Sequence, residues 1–222
     1  MKKIILATAF VAATFTANAQ NIIKNGDFNT EVGTETVNKT PTSTDWFFFD
    51  KTEGKTTFAN VKDDNTHGNA VQIENTSDNS WYRSYVGQRV QGAEKGIYTL
   101  TFDMKALTPK TQVRVFLKSA NNDKMFFLRE GFDINDETTK KQSAAAFSRA
   151  EKKLDKWVKV TAKFDLSKAV DNFASPQGVE AKGGKINVTD ASEDMIKDFV
   201  VVIQLQNKDT KALIDNVSLL KK

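Results

Sequence analysis

The sequence has no cysteine, which excludes disulfide bridges, a thiol nucleophile and every metal site built on thiolates. It has a single histidine, His67, too few for a histidine-rich zinc site and for most general-base constellations. It also has no serine elbow and no phosphate-binding loop. These absences favour a protein that is not an enzyme. A small glycoside hydrolase is the less favoured alternative, because acids such as Glu74 and Asp103 could flank a glycosidic bond.

Long apolar runs are also missing, since the one at residues 4–15 is shorter than the roughly 20 residues of a membrane-spanning helix. This run follows Lys2 and Lys3 and precedes the small-x-small motif Ala17-Asn18-Ala19. The order predicts a secretory signal peptide at residues 1–19, with an uncleaved anchor as the alternative. Residues 20–222 then form the mature chain, secreted, periplasmic or associated with the cell surface, and their number fits a single β-sandwich domain.

The charge is nearly balanced, with 32 Lys and Arg against 28 Asp and Glu. Basic and acidic residues are interspersed along the chain, which indicates a solvated surface and no nucleic-acid partner. A chain of this length buries enough apolar surface to fold without disulfides. We expect a monomer that does not insert into a membrane.

What the sequence does have is alternation of apolar and polar residues, the period of strands that are buried on one face. In residues 97–106, Tyr98, Leu100, Phe102 and Met104 share one face. The pattern recurs at residues 111–118, 157–166, 199–206 and 212–220, and turn signals bound further strands at 44–50, 56–61, 70–75, 81–90 and 124–130. About ten short strands without βαβ units predict an all-β fold, a two-sheet antiparallel β-sandwich.

Three segments depart from this simple pattern. Residues 46–49, Trp-Phe-Phe-Phe, are apolar on both parities, which indicates a strand covered on both faces with Trp46 in the core. Residues 134–154 and 168–197 are long irregular segments, and loops of such length are usually functional or disordered. Near the end of the second, the segment Asp190-Ala191-Ser192-Glu193 predicts an N-cap before a short helix.

Several motifs occur in an informative order, from Asn25-Gly26-Asp27-Phe28 near the mature N-terminus to Ile214-Asp215-Asn216-Val217 near the end. Between them lie Trp46, Gly68-Asn69-Ala70-Val71-Gln72-Ile73, Tyr85-Val86-Gly87-Gln88-Arg89-Val90, Gly96-Ile97-Tyr98-Thr99-Leu100-Thr101-Phe102 and Trp157-Val158-Lys159-Val160. The series resembles the carbohydrate-binding modules that open with Asn-Gly-Asp-Phe-Glu. The resemblance covers nearly the whole mature chain and implies a galactose-binding-like jelly roll that binds a glycan.

The signal peptide and the glutamine after it resemble those of secreted Bacteroidetes proteins. The resemblance implies a stand-alone binding protein of the kind that such bacteria place beside enzymes degrading polysaccharides. Two positions depart from the usual motifs of the modules: Asn29 replaces the Glu of the opening motif, and Asp45 replaces the Gly before the first Trp.

The carboxylate of Asp215 needs a partner if it points inward, because a buried charge must be paired or bound to a metal. It shares strand parity with Leu213, Val217 and Leu219, which we expect to face the core. In the resembling modules the opening motif and this Asp meet around a structural calcium. The resemblance therefore implies a calcium site formed by Asp27, Asn29 and Asp215, whose oxygens suit a hard cation. The alternative is that Asp215 caps backbone amides.

Sugar recognition needs flat apolar rings beside planar polar groups. Residues 79–85 are the densest such cluster, and Trp81, Arg83 and Tyr85 share the parity that we expect to be exposed. A second candidate face carries Gln112, Arg114 and Phe116, opposite the core residues of their strand. In the resembling modules, strands of this region line the binding cleft.

Each of these candidates has a plainer interpretation. Trp81 and Phe116 could pack under a loop as ordinary core residues, and His67 is expected to be an exposed loop histidine. Trp157 is expected to pack at a strand edge. The favoured function is non-catalytic glycan binding, and the alternative is a structural or protein-binding β-sandwich of the cell envelope. Convergence of Trp81, Tyr85, Arg114 and Phe116 in one groove would favour glycan binding.

Overall fold

The structure is a computed structural model that describes residues 20–63, 66–77, 83–122, 124–130, 146–149, 154–171 and 188–222. The predicted signal peptide and the candidate Trp81 lie outside the described residues. No helix in the described ranges is long and apolar enough to cross a membrane.

The described chain contains thirteen strands and one short helix. The strands are β1 (Thr36–Val37), β2 (Trp46–Asp50), β3 (Thr56–Lys62), β4 (Asn69–Asn75), β5 (Ser84–Gln91), β6 (Ile97–Ala106), β7 (Gln112–Ser119), β8 (Lys124–Glu130), β9 (Ala146–Arg149), β10 (Trp157–Asp171), β11 (Val188–Asp190), β12 (Asp198–Leu205) and β13 (Thr210–Lys221). The helix, α1, is Glu193–Lys197. All ten strands expected from the alternation are present, which confirms the all-β prediction, whereas β1, β9 and β11 carry too few residues for a periodic signal.

The strands form a β-sandwich of the jelly-roll type. The first sheet has the order β1-β2-β5-β12-β7, with β9 also paired to β7, and the second has the order β3-β4-β13-β6-β10, with β11 paired to β10. Strand β8 pairs with both β7 and β10 and joins the two sheets into one curled sheet. All pairings are antiparallel except that of β1 with β2.

The main core lies between the two sheets and is formed by the inward parity of each strand. Leu100, Phe102 and Met104 of β6 face Val201 and Ile203 of β12 across this core, and all are at most 1% exposed. Burying a side chain of this size stabilises the folded state by roughly 1.5–3 kcal/mol. The face of each strand that carries the apolar residues is therefore the face that lies in the core.

Strand β2 is buried on both faces, as its unbroken apolar run predicts. Trp46 and Phe48 belong to the main core, while Phe47 and Phe49 face the other side of the sheet. The indole of Trp46 donates hydrogen bonds to the backbone oxygens of Lys24 and Asn25, at 2.9 and 3.0 Å. Trp46 therefore fixes the N-terminal segment, and its predicted place in the core is confirmed.

The predicted N-cap before helix α1 is also present. The side chain of Ser192 accepts a hydrogen bond from the backbone N–H of Met195, at 3.3 Å. Glu193 and Asp194 lie in the first turn and Lys197 in the last, the arrangement that the helix dipole favours. The helix buries Met195 and Ile196.

The expected single face of the last strand is wrong, because β13 contains a bulge. Leu213 and Asp215 pair with Lys105 and Asp103, which lie on the outer face of the second sheet, whereas Leu219 pairs with Leu100 of the core. The register shifts between Asp215 and Ser218, where Asn216 has φ 51°. An extra residue in one strand reverses the faces of everything beyond it, and Asn tolerates this left-handed conformation.

Candidate functional site

The outer face of the first sheet carries a second apolar cluster, separate from the main core. This outer cluster consists of Phe47, Phe49, Tyr85, Phe116, Met125, Val170, Val200 and Val202. The register places Phe47, Gly87, Val202 and Phe116 side by side across β2, β5, β12 and β7. A Cβ at Gly87 would lie 3.0 Å from the ring of Phe47 and 3.1 Å from that of Tyr85, so the glycine lets both rings lie against the sheet.

Tyr85 is at the centre of this cluster. Its ring stacks on Phe49 with centroids 4.5 Å apart and an interplanar angle of 9°, and meets Phe47 edge-on at 6.1 Å. Its hydroxyl accepts a hydrogen bond from Nζ of Lys118, at 3.0 Å. Burial raises the pKa of Tyr85 well above its usual value, while a hydrogen bond with the Thr40 side chain opposes the shift.

Cationic groups lie over the aromatic rings of the outer cluster. Nζ of Lys51 is 5.3 Å from the centroid of Phe49, and Nζ of Lys118 is 5.8 Å from the same centroid and 5.0 Å from that of Tyr85. The guanidinium of Arg114 is 5.0 Å from the centroid of Phe116. Burial lowers the pKa of Arg114 to about 10, which still leaves this group charged at neutral pH.

An open pocket lies beside the outer cluster, at the edge of the sheet formed by β1. It has a volume of about 620 Å³ and is lined by residues 36–42 and Asp50. Val37 packs against the outer cluster, and the backbone oxygen of Pro41 accepts a hydrogen bond from Nη1 of Arg89, at 3.0 Å. These contacts hold residues 36–42 against the sheet, and they fix the position of one wall of the pocket.

Most of the side chains that line the pocket can donate or accept hydrogen bonds. Hydroxyls come from Thr36, Thr40 and Thr42, an amide from Asn38 and an ammonium from Lys39. Asp50 is already committed to its own turn, because its oxygens accept hydrogen bonds from the backbone of Thr52 and Gly54 and from the Thr52 hydroxyl. The arrangement suits a polar ligand with many hydroxyl groups.

The structure brings three of the six sugar-face candidates together on the outer face. Tyr85 and Phe116 belong to the outer cluster and Arg114 lies over Phe116. Gln112 is half-buried on the same parity of β7, and Arg83 is half-buried in the turn before β5. The position of Trp81 lies outside the described residues.

The expectation that Tyr85 is exposed is wrong, and Arg114 and Phe116, which were expected to point out of the core, are covered as well. Tyr85 is 2% exposed, and Arg114 and Phe116 are each 4% exposed. They point away from the main core as predicted, but they are packed in a second apolar layer. Period-2 analysis identifies the face on which a side chain lies and cannot tell whether that face is covered.

Sequence reasoning missed the pocket and part of the outer cluster. Val200 and Val202 occupy the outward parity of β12 and are fully buried; their apolar character on the parity opposite Phe199 and Val201 was a usable signal. Residues 36–42 have no periodicity and lie in a segment rich in Thr, Asn and Lys, so no local signal marked them.

The opening and closing motifs meet, as the resemblance implies. The backbone N–H of Val217 donates to the oxygen of Gly26 at 2.8 Å, and a Cβ at Gly26 would lie 1.9 Å from the Val217 oxygen. Only glycine permits this approach, which explains the residue type in the opening motif.

Asp215 lies at this junction and is 1% exposed. Its Oδ1 accepts a hydrogen bond from the N–H of Asn216 at 2.7 Å, and its Oδ2 has no hydrogen-bond partner among the described residues. Burial raises the pKa of Asp215 to about 6; the charges of Asp103 and Asp27 act in the same direction, and the Asn216 hydrogen bond and His67 oppose it.

The set Asp27, Asn29 and Asp215 fits a hard cation in part. The orphaned Oδ2 of Asp215 and the nearby charge of Asp27 are favourable, but both oxygens of Asp27 accept hydrogen bonds from Asn29, at 3.4 and 2.6 Å. Among the described residues, no group of three or more His, Asp or Glu side chains is arranged to hold a metal ion. An ion here would therefore depend on amide and backbone oxygens.

The outer face of the second sheet carries a polar network instead of an apolar layer. Asp63 accepts hydrogen bonds from Nζ of Lys105 at 3.0 Å and from the indole of Trp157 at 2.8 Å. His67 stacks on Trp157 at 3.9 Å, and its Nε2 lies 3.4 Å from Asp103. The expectation of an exposed loop histidine is wrong, because the His67 side chain is only 11% exposed.

Comparison with solved structures places the fold in a known class. A CBM4 structure, a carbohydrate-binding module, has the same fold with a TM-score of 0.51 and 14% identity, over 90% of this chain and 99% of that chain. A candidate sugar-binding protein from Bacteroides thetaiotaomicron VPI-5482 is more similar, with a TM-score of 0.78 and 32% identity, over 91% of this chain and 100% of that chain.

The family is defined by a sequence model. The chain belongs to the family described as a domain of unknown function (DUF4627), whose model matches residues 21–219. No curated protein matches the chain.

Proposed function

We propose that the protein is an exported, stand-alone, non-catalytic carbohydrate-binding protein, and that poly- or oligosaccharides bind in the pocket lined by residues 36–42 and Asp50. The observation that carries the proposal is the lining of this pocket, in which hydroxyl, amide and ammonium side chains at exposed or half-buried positions lie together beside the outer cluster. Sugar rings present hydroxyls at their rim, and these side chains can donate to them and accept from them.

The similarity to a candidate sugar-binding protein supports the same conclusion. The likeness extends over 91% of the chain and includes the whole of that protein. The CBM4 structure supports the fold alone, because identity with it is 14% and one fold hosts many functions.

The lining of the pocket argues for binding without catalysis. Hydrolysis of a glycosidic bond uses two carboxyl groups held across the bond. Asp50 is the one carboxylate among the described lining residues, and its oxygens are occupied by hydrogen bonds from residues 52 and 54. Among the described lining residues, a ligand would meet hydrogen-bond donors and acceptors but no pair of carboxyl groups.

We also propose that calcium binds at the junction of the two terminal motifs, with Asp215 as its principal ligand. No described residue donates a hydrogen bond to the buried Oδ2 of Asp215, and calcium would supply the positive counter-charge for this carboxylate. Asp27 and Asn29 would complete the set together with backbone oxygens. The role of the ion would be structural, since it would fasten the two ends of the chain.

The proposal is tested by binding of residues 20–222 to a panel of immobilised glycans. Asn38→Ala and Thr40→Val remove hydrogen-bonding groups from the pocket, and each is expected to weaken binding about 5- to 10-fold, since one hydrogen bond contributes about 1 kcal/mol. Thr101→Val, on the outer face of the second sheet, is the matched control and should bind like the wild type. Binding that neither pocket variant alters would place the site elsewhere.

One observation favours a second candidate, a structural or protein-binding β-sandwich. The outer cluster is covered, with Tyr85 and Phe116 at 2% and 4% exposure, so these rings cannot stack directly on a sugar in this conformation. If folded protein binds no member of a broad glycan panel, this second candidate takes precedence.

A further inference from the structure

Arg89 lies on the outward face of β5 and bonds to two distant segments of the chain. Its Nε donates a hydrogen bond to Oδ1 of Asp198 at 2.6 Å, and its Nη2 donates to Oδ2 of the same carboxylate. Its Nη1 donates to the backbone oxygen of Pro41, at 3.0 Å. One planar group therefore joins the start of β12 to the wall of the pocket.

The pairing with Asp198 fixes the direction of the Arg89 guanidinium. Two parallel hydrogen bonds to one carboxylate hold the planar group in a single orientation. The two side chains are 14% and 18% exposed, and the hydrogen bonds from Arg89 lower the pKa of Asp198. Asp198 is itself held in the sheet, because its backbone pairs with Gln91 of β5 and its oxygen accepts a hydrogen bond from the N–H of Ala120, at 3.1 Å.

The pocket wall that Arg89 contacts lies in the connection between β1 and β2. These strands are parallel, so the chain must return along them through residues 38–45, which form no helix or strand. Thr40 and Pro41 are half-buried, whereas the exposed pocket residues of this connection are Asn38, Lys39 and Thr42. The side chains that a ligand would meet are therefore carried by a backbone whose half-buried positions face the sheet.

Two hydrogen bonds hold these half-buried positions to β5. The side chains of Thr40 and Tyr85 are hydrogen-bonded to each other, and the oxygen of Pro41 accepts from Arg89. An irregular segment keeps one conformation only where its contacts outweigh the conformational entropy that it loses. The conformation of the pocket wall therefore depends on both bonds.

We infer that Arg89 is a positioning residue: its guanidinium, oriented by Asp198, holds the pocket wall at Pro41 in the conformation that binds a glycan. This inference rests on the proposed function and names a residue outside the pocket lining on which the affinity depends. A site that is ordered before the ligand arrives loses less conformational freedom on binding, and its affinity is higher for that reason.

Substitutions at Arg89 separate its planar fork from its charge. Arg89→Met removes both, while Arg89→Lys keeps the charge but has one nitrogen in place of the fork that reaches Asp198 and Pro41 together. The measurement is the affinity of residues 20–222 for the glycan that they bind best in the immobilised panel. We expect each variant to weaken it about 3- to 10-fold, because the wall must then be ordered on binding.

The matched control is Lys105→Met, on the opposite sheet. Lys105 and Asp63 form an ion pair whose side chains are 15% and 16% exposed, close to the 14% and 18% of Arg89 and Asp198. Because each variant removes one half-buried ion pair, each is expected to lower the Tm by about 2–4 °C. Only the Arg89 variants should weaken glycan binding.

The mobility of the pocket wall is measured without any ligand. The chain has no cysteine, so Ser43→Cys, at an exposed position of the same connection, accepts a single nitroxide label. Its electron paramagnetic resonance spectrum reports motion of the loop on the nanosecond timescale. We expect faster motion of the label in Arg89→Met and Arg89→Lys, and an unchanged spectrum in Lys105→Met.

The outcomes separate this inference from the proposed function. Glycan binding that Asn38→Ala weakens and the Arg89 variants do not would overturn the inference and leave the proposed function in place. Full affinity in Arg89→Lys would overturn it, because charge alone would then suffice, and so would an equal loss of affinity in Lys105→Met.

The label identifies direct contact with the ligand as a further alternative. Weaker binding in the Arg89 variants without faster motion of the label would also overturn the inference, since Arg89 would then bind the glycan itself. If the wild type binds no glycan of the panel, the inference and the proposed function are both rejected.

Discussion

The outward faces of the two sheets differ although the same alternation of residues builds both. On the first sheet the central outward residues Phe47, Phe49, Val200 and Val202 are apolar and buried, whereas on the second sheet most outward residues of β6 and β10 are threonines, acids and lysines at intermediate or full exposure. A polar outward face needs only water, but an apolar one must be covered or must bind something. The contrast directs the search for function to the first sheet.

The first prediction is that Phe116 behaves as a core residue although it lies on an outward face. Phe116→Ala should lower the free energy of unfolding by about 3–5 kcal/mol, the usual cost of emptying a packed aromatic site. Thr101→Ala, at an outward position of the second sheet, should change it by no more than about 0.5 kcal/mol. Urea unfolding of the two variants measures both values.

A small effect of Phe116→Ala on the free energy of unfolding would contradict the contrast between the outward faces of the two sheets. It would show that the outer cluster is loosely packed and that its rings open to solvent readily. In that case direct stacking of Tyr85 and Phe116 on a sugar, as expected from the sequence, would again be available.

Most of the fold could be predicted from the sequence, because burial in a two-layer sandwich imposes a period of two on each strand. The limits of that reasoning have physical causes. The bulge at Asn216 reverses the faces of β13, and nothing in the residue types of the strand marks the extra residue. Tyr85 and Phe116 have the correct direction, but their cover depends on contacts from distant segments.

The second prediction concerns the polar network on the second sheet, where Asp63 joins Lys105 to Trp157. Asp63→Ala should lower the free energy of unfolding by about 2 kcal/mol, because it leaves the indole N–H without its acceptor and the Lys105 ammonium with only the longer contact to Asp155, at 3.5 Å. Asp63→Asn keeps an oxygen for the indole and should cost less than Asp63→Ala. Urea unfolding and the fluorescence of Trp157 measure the change.

The outcome also bears on the loop that follows β3. If Asp63→Ala lowers the free energy of unfolding no more than a change at an isolated surface position does, the polar network does not contribute to stability. The outer face of the second sheet would then be stabilised by its backbone hydrogen bonds alone. The matched control is Asp45→Asn, at an exposed acid of the segment before β2.

The third and smallest effect is expected at Asp215, the acid that is buried on the otherwise solvated face. Its pKa is raised to about 6, so in chelator the ionised group opposes folding, and stability should fall as the pH rises from about 4 through 6. Asp215→Asn mimics the protonated acid and should raise the Tm in chelator at pH 7.5 by about 2–4 °C, equivalent to about 1 kcal/mol.

Calcium should reverse the order of the two proteins. A bound cation favours the carboxylate over the amide, so millimolar calcium should raise the Tm of the wild type and leave that of Asp215→Asn unchanged. If Asp215→Asn instead lowers the Tm in chelator, and calcium alters neither protein, then Asp215 acts as a cap for the N–H of Asn216 and the bulge. The second sheet would then hold its buried charge through the backbone, without an ion.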